Sequence, residues 1–186
     1  MKWVWRILGG LAALIIAAVA CLWLLGFRSK TGRNSVTVEI DRPAAQVWRY
    51  LENDDLVLKW VSGLSEIRHL NPDVNGAGAR FVLSEVVGER RTDMEMEITA
   101  FEVPRHIGFR IKSPEGVSPG FTETGEYVLV EKDGRTTLTL SGDSRYFPFW
   151  IQLMEPVITP AAQKKLRADL ARLKALVEAE PVSASH

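Results

Sequence analysis

The chain has 186 residues, with 23 Lys and Arg offset by 23 Asp and Glu. Lys2 and Arg6 precede a long apolar stretch, so the remainder carries 21 basic against 23 acidic side chains. That balance excludes an ordinary nucleic-acid binder, in which a basic stripe is expected. The one cysteine, Cys21, lies inside the apolar stretch, so no disulfide can form within the chain.

Residues 7–27 form 21 consecutive positions without a charge, mostly Leu, Ala, Ile and Val. As a helix they rise about 30 Å, the thickness of a hydrocarbon core. Trp3, Trp5 and Trp23 suit the interfacial zones, and Arg28, Lys30 and Arg33 close the far end. A cleaved signal peptide has an apolar region of only about 7–15 residues. A lipoprotein site at Cys21 lacks the large aliphatic residue three positions before it, and apolar sequence continues beyond it. The expectation is a single-pass membrane anchor over 1–28. Lys2, Arg6 and the amino terminus oppose Arg28, Lys30 and Arg33, so the side of the membrane stays open. A linker over 29–34, one domain over 35–180 and a disordered tail over 181–186 complete the organisation.

The domain opens with Val36, Val38 and Ile40 alternating with Thr37, Glu39 and Asp41, the period of a half-buried strand. Asp41 is placed to cap a helix with Pro43 in its first turn and Val47, Trp48 and Leu51 along it. A short helix over 54–60 follows, ending at Trp60. Strands are expected at 65–70, 79–87, 90–103, 106–112, 121–131 and 135–143. Gly88-Glu89 and Asp133-Gly134 are two-residue hairpin signals. The first sets Leu83 opposite Met94, Phe81 opposite Met96 and Arg80 opposite Glu97; the second sets Leu129 opposite Leu138 and Tyr127 opposite Leu140. A tight turn at Pro104-Arg105 would set Ile98 opposite Ile111, Ala100 opposite Phe109 and Glu97 opposite Lys112. Each hairpin then has one apolar and one mostly polar face, an agreement that a one-residue slip destroys.

Tyr146 to Trp150 read as an aromatic loop, and beyond Pro160 Leu166, Leu170, Leu173 and Val177 form a helical apolar stripe. Lys164, Lys165, Arg167, Arg172 and Lys174 read as a solvated face of that helix. The stripe and the apolar sheet face need each other. The fold class is therefore α+β: a curved antiparallel sheet gripping a long C-terminal helix, plus one N-terminal transmembrane helix.

The segment 36–51, with Pro43 and small residues ahead of Trp48, resembles the opening strand and helix of the START-like, or SRPBCC, helix-grip superfamily. Trp60 and the late strand from Gly134 to Leu140 are similar to that family as well, and within it the chain most resembles the polyketide cyclase/dehydrase-like group. The resemblance implies a cavity between sheet and helix for a hydrophobic small molecule or lipid. Expected lining residues are Trp60, Phe81, Leu83, Met94, Met96, Ile98, Phe109, Tyr127, Leu166 and Leu170. The mouth is expected at Tyr146–Trp150 and Gly76–Gly78.

Glu85 shares a face with Leu83 in the Gly88-Glu89 register, which makes it the one acid or base candidate; a desolvated carboxyl there has a raised pKa. Its rival reading is a solvated residue near a hairpin end, beside Thr92. His69, His106 and His186 show no ligand spacing, so neither a metal nor any other cofactor is expected. Three function classes remain: a membrane-anchored binding domain, a cyclase or dehydratase using Glu85, and an accessory protein with a vestigial pocket.

Overall fold

The computed structural model of the chain describes residues 2–28, 33–114, 116, 120–147, 151 and 155–181. Most of the expected linker, positions 148–150 of the aromatic loop and the tail from 182 lie outside the described residues. Helix α1 spans Lys2–Arg28 and is followed by β1 (Arg33–Ile40), α2 (Ala44–Glu52) and α3 (Asp54–Trp60). Six strands come next: β2 (Leu64–His69), β3 (Arg80–Val87), β4 (Arg90–Glu102), β5 (His106–Lys112), β6 (Gly120–Lys132) and β7 (Arg135–Phe147). Helix α4 (Glu155–Ala179) closes the described chain. It starts before Pro160 rather than beyond it.

The strands form one antiparallel sheet in the order β1-β7-β6-β5-β4-β3-β2. Asp133 (φ 52°) and Gly134 (φ 73°) both supply the positive φ of the favoured two-residue hairpin, and Leu129–Leu138 and Tyr127–Leu140 pair as expected. Gly88 (φ 63°) makes the β3–β4 turn, with Leu83–Met94, Phe81–Met96 and Arg80–Glu97 in register.

The β4–β5 hairpin departs from expectation. Its loop spans Val103, Pro104 and Arg105, so that Glu102 pairs with His106, and a bulge at Thr99 adds one residue to β4. Together these move the partner of Ile98 by two residues, from Ile111 to Phe109, so Ile98 still faces inward. Ala100 lies beyond the bulge, opposite Gly108, and is turned to the outer face; Phe101, opposite Ile107, takes the inner position. Lys112 meets Glu95 rather than Glu97, which pairs with Arg110 at 3.6 Å.

Asp41 does not cap α2. Pro43 holds the cap position, while the Asp41 carboxylate pairs with Arg135 at 3.0 Å. In α3, Asn53 accepts from the Leu56 N–H and fills the N-cap role.

The stripe on α4 packs across the sheet as expected. Leu173, Val177, Leu138, Ile40 and Val47 are completely enclosed. Trp48 meets Phe101 edge to face at 5.2 Å between ring centres. The cations of α4 are not all solvated: Lys174 donates to the Glu39 carbonyl, and Arg172 to that of Trp60.

Residues 9 to 21 of α1 are all exposed. Among the described residues no helix is long and apolar enough to cross a membrane. The architecture is thus α+β with a helix-gripping sheet, and the expected membrane span over 7–27 is not shown.

Candidate functional site

Strand alternation aligns inner-face residues in rows across the sheet. One row runs Asn34, Gly142, Gly125, Phe109 and Ile98 on β1, β7, β6, β5 and β4. The next runs Ser144, Glu123, Ile111, Met96 and Phe81. Two glycines in the first row leave space that their neighbours use. The Phe109 ring lies over Gly125, where a Cβ would approach its Cζ to 2.5 Å. The Glu123 carboxyl bends over Gly142, its Oε1 3.1 Å from where a Cβ would stand, and Ser144 Oγ donates to Oε2 at 3.1 Å.

Helix α4 answers with charge. Asp169 is buried and accepts from the Ser62 N–H at 3.1 Å and from Lys165 Nζ at 3.2 Å. The same Lys165 Nζ lies 3.4 Å from Glu85 Oε1. Glu85 rests against Gly63, whose φ of 84° and lack of a side chain let the 61–63 loop close on it. Glu85 is therefore neither free in solvent nor sealed in an apolar pocket: its side chain is 27% exposed and paired with Lys165.

Burial raises the Glu123 carboxyl above the ordinary range, with the Ser144 hydrogen bond and the Lys165 charge opposing the shift. The Tyr127 hydroxyl is pushed well up by burial and by the nearby Glu123 and Asp169 charges. Tyr127 lies deep among protein atoms, its ring against Phe109 and edge-on to Trp60, yet it keeps accessible surface. Its hydroxyl has no hydrogen-bond partner among the described residues.

The expected lining residues fall into two groups. Trp60, Ile98, Phe109 and Leu170 belong to one buried core cluster, and Phe81, Met96, Tyr127 and Leu166 pack against it half-buried. Leu83 and Met94 face the same side beyond that cluster, Leu83 buried and Met94 half-buried. Trp60 has a structural task as well, since its Nε1 donates to the Tyr50 carbonyl at 2.9 Å.

Sequence reasoning missed Asn34, Glu123, Ser144, Lys165 and Asp169. It also misplaced part of the mouth. Gly76 is buried against the Phe101 ring, at the opposite end of the sheet from the Phe121–Tyr146 pair. Residues 148–150 lie outside the described residues.

A concavity of about 250 Å³ lies on the outer face around Ala100, Gly108, Thr124 and Ser141. There His106 and Ser141 both hydrogen-bond Glu126. Among the described residues no cluster of His, Cys, Asp or Glu is placed to hold a metal ion.

The antiparallel sheet wrapped on α4 defines a helix-grip domain. The chain belongs to the family described as polyketide cyclase / dehydrase and lipid transport, whose model matches residues 31–178. It is similar in fold to a conserved protein of Geobacillus kaustophilus (TM-score 0.66, 15% identity, covering 78% of this chain and 94% of that one). A hypothetical protein of Helicobacter pylori is also similar (0.64, 14%, covering 81% and 90%). So is DynU16, from the dynemicin biosynthetic locus (0.56, 19%, covering 80% and 48%). At these identities the likeness speaks for the fold alone. No curated protein matches the chain.

Proposed function

We propose that the chain is a membrane-tethered domain that binds or presents a hydrophobic small molecule or lipid between the sheet and α4. The observation that carries this reading is the incomplete burial of inner-face residues. Phe81, Met94, Met96 and Tyr127 face the helix, yet all keep accessible surface where a filled core would leave none. Methionine suits such a wall because its unbranched thioether adapts to ligands of different shape. The family description, which includes lipid transport, supports the same reading.

The tether rests on α1. Ile7, Leu11, Leu14, Ile15, Ile16 and Val19 are exposed around the helix, an apolar surface on all sides that has no place in water. Native mass spectrometry of the full chain extracted with its bound molecules tests the carrier reading: a co-purifying apolar mass is expected, and a chain that carries none and takes up no apolar probe refutes it. Alkaline carbonate tests the tether, since release of the chain from membranes would refute it.

A cyclase or dehydratase is the second reading, and one observation favours it: a desolvated carboxyl inside the hollow. Glu123 holds that position rather than Glu85. Loss of turnover in Glu123→Gln with ligand uptake intact would favour the enzyme.

A further inference from the structure

The following rests on the carrier reading and specifies the head group of its ligand. Asn34 is 8% exposed and faces inward from β1, directly opposite Gly142. Its Oδ1 is fully buried and has no hydrogen-bond partner among the described residues. An acceptor left in this state costs about 1–3 kcal/mol, so it calls for an explanation. Gly142 is also the residue over which the Glu123 carboxyl bends. The Glu123 carboxyl thus occupies the space over the residue that Asn34 faces across the β1–β7 pair, which brings an unpaired acceptor and a desolvated carboxyl to the same two strands.

On β6, four positions along from Glu123 and on the same face, Tyr127 presents a hydroxyl with no partner among the described residues. The three lie on successive inner-face rows of the sheet, Tyr127 first, then Asn34, then Glu123. The charges around them are unequal. Glu123, Glu85 and Asp169 oppose Lys165, and the Lys165 ammonium is already engaged by Glu85 and Asp169. Arg172 is turned to the Trp60 carbonyl. A carboxylate head entering here would lose its hydration and meet three acidic groups, with the facing cation already in use. A hydroxyl carries one donor and two lone pairs, so it can accept from Tyr127 while donating to Asn34 or Glu123. A bare hydrocarbon leaves all three unmatched.

We propose that this hollow selects a neutral amphiphile with a hydroxyl head, held by Tyr127, Asn34 and Glu123, and discriminates against carboxylate lipids. The fit of Asn34 requires the side chains enclosing its Oδ1 to part as the head enters.

The test uses the full chain, immobilised in detergent micelles, and radiolabelled hexadecane, 1-hexadecanol and palmitate counted above a micelle-only blank at neutral pH. Retention of hexadecanol should exceed that of palmitate by about tenfold, equivalent to one well-made hydrogen bond on a desolvated site. Tyr127→Phe should bring hexadecanol down to the level of hexadecane while hexadecane retention persists, which also shows that the variant is folded. Glu123→Gln should narrow the gap between alcohol and acid by raising palmitate. Palmitate held as well as hexadecanol, or a Tyr127→Phe variant that keeps its alcohol preference, overturns the head-group assignment and leaves the carrier reading standing. Retention of none of the three probes overturns the carrier reading itself and this assignment with it.

Discussion

The two ends of the interface between sheet and α4 are built on different principles. At the end reached by the C-terminal half of α4, Ile40, Leu138, Leu173 and Val177 are wholly enclosed, and Trp48 and Phe101 stack edge to face. At the other end Met94, Met96 and Phe81 are only half-buried, and Glu85, Glu123, Lys165 and Asp169 project among them. A fold stabilised by apolar burial gains little from placing three carboxylates against its core. The dry end therefore holds the sheet on the helix, and the polar end is where the proposed ligand would sit.

Trp60 joins the two ends, so its removal should have the largest effect. Trp60→Ala should destabilise the full chain by about 3–5 kcal/mol in denaturant unfolding, as for other large aromatics taken from a core. The contrast between the ends is sharper with matched substitutions. Leu173→Ala empties a site closed to solvent and should cost about 2–5 kcal/mol. Met94→Ala only enlarges a space that solvent already reaches and should cost about 1 kcal/mol or less. Equal losses would mean that the polar end is as tightly packed as the other.

Asp169 tests whether the charged end also contributes to structure. Its carboxylate is buried, and it is the acceptor for the Ser62 N–H. Asp169→Ala strands that donor and frees Lys165, for an expected loss of about 1–3 kcal/mol. Asp169→Asn keeps an acceptor for Ser62 and should recover a large part of it. A variant pair with equal stability would show that the Ser62 contact is without weight.

Much of this arrangement could be read from the chain, and the parts that could not have physical causes. Asp133-Gly134 and Gly88-Glu89 dictate their hairpins because few residues accept positive φ, so both registers follow from composition. Pro104 is compatible with several loop lengths, and nothing local announces the bulge at Thr99, so the β4–β5 register and the outward turn of Ala100 were not legible. Helix α1 is apolar in sequence, but among the described residues no helix is long and apolar enough to cross a membrane. Three of the site residues did leave a signal. Glu123 lies four positions before Tyr127 on an alternating strand, Asn34 two before Val36, and Asp169 stands three after Leu166 and four before Leu173. Periodicity places Glu123 and Asp169 inside, against the general preference of carboxylates for solvent, whereas Asn34 falls in the stretch expected as linker because the strand starts earlier than its apolar residues announce.

The smallest expected effect has the opposite sign and follows from Glu123. Burial raises its folded-state pKa above the ordinary glutamate value of 4.5. A raised carboxyl favours the fold in its protonated form: that contribution is fully present below the unfolded value and is lost as pH rises through the folded value. At neutral pH the native chain thus carries the cost of burying an ionisable carboxyl that the unfolded chain would hydrate as a carboxylate. Glu123→Gln removes the ionisable group and keeps an oxygen to accept from Ser144 Oγ. It should raise the melting temperature at neutral pH by a few degrees at most, on the order of 1 kcal/mol or less for a domain of this size. The advantage should shrink as pH falls and vanish below about 4.5, where the native carboxyl is itself neutral. A gain that persists unchanged into acid would point to better packing of the amide rather than to relief of a buried charge. A loss at neutral pH would mean that Lys165 and Ser144 more than offset the burial of Glu123, and that the polar end is a structural ion cluster.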